Sequence, residues 1–218
     1  MIVKVCGLNS QANALDVVLA GADMVGFIFH PASPRLILQP FGAEFNGSIP
    51  SFVKRVGVFV NASLEEVLIA NANYSLDIVQ LHGEENTDYC ARLMDMGIPV
   101  IKAFSVDERF DFRITNAFHP YCTMFLFDAS GRNRGGNGIS FSWDLLNSYV
   151  GETPFLLSGG ISIHHLPTIN EMKHPAMVGV DINSRFEISP GVKDIAKVRE
   201  FVEGIQKKKL KVTGHDER

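Results

Sequence analysis

Cysteine is scarce: Cys6, Cys90 and Cys122 are three residues with no C-x-x-C spacing, so neither a disulfide framework nor a zinc site is expected. An excess of basic charge is also missing. Twenty Lys+Arg against 24 Asp+Glu leave a net charge of −4, the wrong sign for a chain whose main partner is a nucleic acid. No apolar run approaches the roughly 18 residues of a membrane span. The opening Met-Ile-Val-Lys-Val-Cys-Gly lacks the charged, apolar, small-residue order of a secretory signal. These absences predict a cytoplasmic protein with reduced thiols and neither nucleic acid nor membrane as a partner. No Pro-rich linker, low-complexity tract or shift in composition divides the 218 residues.

What is present is a repeated alternation. Short apolar or β-branched runs recur at Ile2–Cys6, Met24–Phe29, Val53–Val60, Ile78–His82, Val100–Phe104, Thr123–Asp128, Pro154–Ser158 and Met177–Asn183. Most are apolar almost without interruption, the pattern of parallel strands covered on both faces. Between them lie helical patterns at Gln11–Ala20, from Ser63 onward with Glu66 completing a capping box, and at Asn86–Met96, Ser142–Tyr149, His165–Met172 and Asp194–Lys209. Residues 41–50 and 106–121 are irregular, and short or degraded helices are expected there. Eight β-then-α units in one uninterrupted chain predict the α/β class, as a single-domain (β/α)8 barrel (a TIM barrel) over residues 1–205, with a basic, polar tail over 206–218. A doubly wound sheet is the alternative.

A barrel places its chemistry at the C-terminal ends of its strands. Cys6, Arg35, His82, Asp128, Ser158 and Asp181 all stand there. Cys6 ends an apolar strand and precedes Gly7, which lets the backbone turn and the thiol face the mouth, whereas Cys90 and Cys122 read as core. Alternation puts Asp128 on the face of Met124 and Leu126, where lost hydration would raise a carboxyl pKa and suit a general acid. A cap or an ion pair explains Asp128 equally well, and His82 and Asp181 carry similar alternatives. Ser158-Gly159-Gly160 and Asp181-Ile182-Asn183-Ser184 follow the last two strands, whose loops hold phosphate in many barrels. The stretch Gly131–Gly138 is glycine-rich and long enough to form a lid.

In order along the chain, Lys4-Val5-Cys6-Gly7, Gly26-Phe27-Ile28-Phe29-His30-Pro31 with Ser33-Pro34-Arg35, Val79-Gln80-Leu81-His82-Gly83, Phe127-Asp128, Leu157-Ser158-Gly159-Gly160, Val180-Asp181-Ile182-Asn183-Ser184 and Pro190-Gly191-Val192-Lys193-Asp194 resemble the phosphoribosylanthranilate isomerase family of tryptophan biosynthesis. The resemblance spans essentially residues 1–205. It implies a barrel that needs no cofactor and no metal and performs an Amadori rearrangement of N-(5-phosphoribosyl)anthranilate to 1-(2-carboxyphenylamino)-1-deoxyribulose 5-phosphate. It implies Asp128 as general acid and Cys6, as thiolate, as general base. Arg35 would hold the anthranilate carboxylate, Asp181 would lie beside the ribose, His82 would also touch substrate, and Gly159, Gly160, Asn183 and Ser184 would bind phosphate. A monomer or a homodimer is implied, with the small phosphoribosyl anthranilate as partner.

Two departures stand out. Asn137 and Ile139 occupy the loop where the family usually reads Gly-Gly-Thr-Gly-Lys, and Arg185 stands where a Gly is usual. Arg185 either strains its loop while facing solvent or adds a phosphate contact. Three rival readings are weaker. A pentose-phosphate epimerase needs metal-binding His and Asp at several strand ends, but strand two brings no Asp beside His30 and strand three ends in Val60-Asn61. An indole-glycerol-phosphate synthase would place lysines with a glutamate at the mouth, whereas Lys4 and Lys102 lie within strands. A phosphosugar-binding protein without turnover would have no use for both Cys6 and Asp128.

Overall fold

A computed structural model describes residues 1–38, 41–129 and 143–213. Eight parallel strands close into a barrel in sequence order: β1 (Ile2–Val5), β2 (Met24–Ile28), β3 (Lys54–Phe59), β4 (Ile78–Leu81), β5 (Val100–Ser105), β6 (Met124–Asp128), β7 (Phe155–Ser158) and β8 (Met177–Ile182). The ring shuts where β8 pairs with β1, Lys4 lying opposite Asp181. The predicted strands therefore all form, with ends that differ by one residue at most of their boundaries.

Around the barrel run α1 (Gln11–Leu19), α2 (Ala43–Ser48), α3 (Leu64–Tyr74), α4 (Thr87–Asp95), α5 (Leu166–Glu171) and α6 (Ile195–Thr213). The capping box at α3 is real: Ser63 accepts from the Glu66 amide and the Glu66 carboxylate accepts from the Ser63 amide. Asn86 caps α4. The irregular stretches became short elements, α2 in one and two 3-10 turns, Phe112–Ala117 and His119–Tyr121, in the other. After β6 the helix-like pattern forms a 3-10 turn at Trp143–Ser148. The glycine-rich Gly131–Gly138 stretch, with Asn137 and Ile139, lies outside the described residues. One feature escaped the sequence reading: a small antiparallel hairpin, β9 (Glu187–Ser189) and β10 (Val192–Lys193), between β8 and α6.

Alternation sorts the side chains. Val3, Val5, Phe125, Phe127, Val180 and Ile182 pack outward under the helices, while Met24, Val56, Ile101, Ala103, Leu126 and Leu156 fill the barrel interior. Cys90 and Cys122 are core residues, as expected.

Closure leaves no slack at the seam. A Cβ on Gly179 would fall on the Ile2 carbonyl oxygen, the strand it must hydrogen-bond. Gly179→Ala should therefore cost about 1–3 kcal/mol, the usual range for overpacking, measured as a lowered denaturant midpoint. An unchanged midpoint would show that β1 and β8 can separate freely.

Candidate active site

The site begins with β1, because its interior face carries Ile2, Lys4 and Cys6 in succession. Lys4 is fully buried and donates to Asp181 Oδ1 at 2.8 Å. Burial alone would lower the ammonium pKa, but Asp181 and the neighbouring Cys6 outweigh it and hold Lys4 above its ordinary value. Ser158 Oγ lies 3.5 Å from the other Asp181 oxygen. Lys4 was treated above only as a residue within a strand, yet its two-residue spacing from Cys6 already placed both on one face.

Cys6 continues the pairing of β1, its amide donating to the Ile182 carbonyl at 2.9 Å. The thiol consequently sits at the floor of the mouth, 4% exposed, against Gly26, where an added Cβ would come within 3.0 Å of Sγ. Burial pushes the thiol pKa up, with Asp181 adding to the effect and Lys4 and Lys193 opposing it. Gly7 then turns the chain at φ +78°, and a side chain there would strike Arg35 Cδ and Asn183 Oδ1. Glycine is thus required both by conformation and by space.

Arg35, in the loop after β2, is held by a residue that no motif had singled out. Glu187 on β9 takes its Nε at 2.8 Å and its Nη2 at 2.6 Å. The same carboxylate accepts from Lys193 Nζ at 2.6 Å and from the Gly191 amide at 3.2 Å. Lys193 reaches Asn183 Oδ1 as well, at 2.7 Å. Burial would raise the Glu187 carboxyl, but Arg35 and Lys193 hold it below the usual carboxylate range. Asn183, expected at phosphate, commits its side-chain oxygen to this cluster, which leaves its backbone for that role.

Across the mouth, Asp128 ends β6 on the interior face shared with Leu126, as alternation predicted, with its side chain 20% exposed. His82 Nε2 is 3.6 Å from Asp128 Oδ2, and Gln80 Nε2 lies 3.1 Å from His82 Nδ1. With Gln80 as donor, the ring is the Nε2–H tautomer and turns that N–H toward Asp128. Gln80 is fully buried, so this orientation is fixed from within the barrel.

Gly159 and Gly160 follow β7 at φ +102° and +65°, conformations that expose backbone N–H groups. They line a cleft of about 710 Å³ together with Trp143, His165, Lys173 and Arg185. Arg185 is exposed and sits in the 3-10 turn Ser184–Phe186 without a positive φ. The anticipated backbone strain is therefore absent, because the turn accommodates a side chain; the guanidinium is left at the cleft beside the two glycines. Cys6, Arg35, His82, Asp128, Ser158 and Asp181 thus all stand on the C-terminal rim. Lys102 does not: its ammonium lies outside the barrel wall, 3.1 Å from Glu85.

The model of the N-(5'-phosphoribosyl)anthranilate (PRA) isomerase family matches residues 3–204. The chain belongs to the phosphoribosylanthranilate isomerase family. A family member from Parabacteroides distasonis is 40% identical over 206 residues, covering 94% of this chain and 93% of its own. One from Thermotoga neapolitana is 40% identical over 201 residues, 92% of this chain and 96% of its own. Among solved structures, the isomerase from Thermotoga maritima superposes with a TM-score of 0.79 at 33% identity, covering 95% of this chain and 100% of that one. A phosphoribosyl anthranilate isomerase bound to reduced 1-(o-carboxyphenylamino)-1-deoxyribulose 5-phosphate gives 0.76 at 32% identity, again with 95% and 100% coverage.

The buried ion pair offers a direct stability test for this family member. Lys4→Met strands Asp181 as an unpaired buried charge and should cost about 3–5 kcal/mol, whereas Lys4→Met with Asp181→Leu should recover much of the loss. Calorimetric melting of the parent and the two variants reads the difference. A single variant as stable as the parent would mean that Asp181 finds water.

Proposed function

We propose that this mouth performs the Amadori rearrangement of N-(5-phosphoribosyl)anthranilate to 1-(2-carboxyphenylamino)-1-deoxyribulose 5-phosphate, the isomerisation step of tryptophan biosynthesis, by general acid/base catalysis without cofactor. The observation that carries the reading is the pairing of Cys6 and Asp128 on inward-facing positions of one rim, with the Arg35 guanidinium beside the thiol. Ring opening of a glycosylamine needs a proton donor at the furanose oxygen, and the following step needs a base for the C2 proton. Asp128 donates the first proton, giving the Schiff base. Cys6 as thiolate removes the second, giving an enolamine, which tautomerises to the ketone.

The remaining residues bind and orient. Arg35 holds the anthranilate carboxylate, because a planar guanidinium suits a planar anion. His82 and Asp181 face the sugar from opposite sides. The backbone of Gly159, Gly160, Asn183 and Ser184 receives the phosphate, and Arg185 at the cleft adds a cation there. Lys4 and Lys193 supply the positive potential that favours thiolate over thiol at Cys6. Every one of these residues comes from one chain, so a monomer or a homodimer working in the cytoplasm serves equally well.

The test is the fluorescence decay of N-(5-phosphoribosyl)anthranilate in the presence of purified protein, with no metal added. Cys6→Ser and Asp128→Asn should each lower kcat by orders of magnitude with substrate affinity retained. Near-normal turnover in either variant would remove that residue from its role. A pH profile adds a second check. Since burial raises the thiol pKa above its ordinary value in the free protein, kcat/KM should still be climbing at and above the ordinary thiol range of about pH 8.5 as thiolate forms. A profile already flat below neutrality would assign the base to another group.

A further inference from the structure

Arg35 poses a problem for any substrate carboxylate, because Glu187 already occupies the guanidinium edge that gives two parallel hydrogen bonds. Displacing Glu187 would break its bonds to Arg35 Nε, Arg35 Nη2, Lys193 Nζ and the Gly191 amide together. Its side chain is only 6% exposed, so water could replace few of them. Arg35 has five N–H donors, and Glu187 takes one from Nε and one from Nη2. Among the described residues, both Nη1 donors and the second Nη2 donor are left without a partner, on the other edge of the plane. The guanidinium side chain keeps 19% exposure, so it is not sealed behind its partner.

Charge points the same way. Arg35 and Lys193 carry two positive charges against the single negative charge of Glu187, and Asn183, the remaining member, is neutral. Among its own members the cluster carries one positive charge in excess. It also lies against Cys6: the Arg35 stem packs over Gly7, the next residue in the chain. Arg35 also interacts electrostatically with Cys6, so an anion held by its guanidinium is held in the neighbourhood of the base, where an aryl carboxylate ortho to the reacting amine has to lie.

We infer that Glu187 is a positioning residue that makes the site selective for a carboxylate on the substrate's aromatic ring, by gripping one edge of Arg35 and leaving the opposite edge for the substrate. Lys193 anchors Glu187 so that the guanidinium is oriented without being neutralised. The inference deepens the function proposed above and rests on it for the identity of the aryl carboxylate.

Two stable ligands separate selectivity from turnover: reduced 1-(o-carboxyphenylamino)-1-deoxyribulose 5-phosphate and its counterpart lacking the carboxyl group. Titration calorimetry against the parent and Glu187→Gln should show the carboxylated ligand weakened tenfold or more and the other changed less than twofold. In an Arg35→Lys background, Glu187→Gln should add less than twofold for either ligand. Equal weakening of both ligands would reduce Glu187 to a prop for its hairpin and overturn the proposal. Tighter binding of the carboxylated ligand would overturn it too, by showing Glu187 to be a competitor for Arg35. Should Glu187→Gln fail to fold by circular dichroism, Glu187→Asp keeps the charge but shortens the reach, and the same selective loss of at least threefold is expected; without it the proposal falls. Parent protein that binds the carboxylated ligand selectively yet does not turn over N-(5-phosphoribosyl)anthranilate would refute the proposed reaction while leaving the role of Glu187 standing.

Discussion

An ammonium group at the centre of a barrel has to find a counter-charge, and in this chain the Lys4–Asp181 pair provides it at the seam where the ring closes. Desolvating either ion alone would cost several kcal/mol, so β1 and β8 must meet in the one register that sets Lys4 opposite Asp181. That register fixes the rest. It brings Cys6 level with the top of β8, seats the thiol over Gly26 and delivers Gly7, Asn183 and the hairpin after β8 to one side of the mouth. The pair also makes the floor under Cys6 polar, and Lys4 acts with Lys193 of the hairpin cluster against the rise in thiol pKa that burial and Asp181 cause.

The opposite wall follows a different logic. Gln80, His82 and Asp128 form a line from the buried barrel interior to the exposed rim. A rigid, fully buried amide fixes the ring, and the ring faces the carboxylate. Asp128 and Cys6 are therefore set in different surroundings: the Gln80–His82 line on one side, and an ion cluster with unbalanced charge on the other.

Much of this was legible in the sequence because it depends on period two. Recurrent apolar or β-branched runs located all eight strands, and alternation placed Asp128 inward with Leu126. The same count put Lys4 on the face of Cys6, although its buried partner could be found only once β8 was known to pair with β1. The irregular stretches resisted because 3-10 turns and a six-residue helix leave no sustained periodicity. Glu187 gave no signal at all. It stands 152 residues from Arg35, on a strand of three residues, and nothing local distinguishes it from any other surface glutamate. Arg185 stayed open between a strained loop and a phosphate contact because a family glycine says nothing of the local φ, and its φ here is not positive.

The hairpin after β8 also has a mechanical meaning. It is tied to α1 through Asn13, which bonds both the amide and the carbonyl of Lys193, and to the loop after β2 through Glu187 and Arg35. It therefore passes over β1 like a clasp, joining elements on either side of the first strand. A thermal fluctuation that peels β1 from β8 must open this clasp as well. Breathing of the barrel at its seam and release of the guanidinium thus become one event, so the residues that hold Arg35 at the mouth also guard the place where the ring would first come undone.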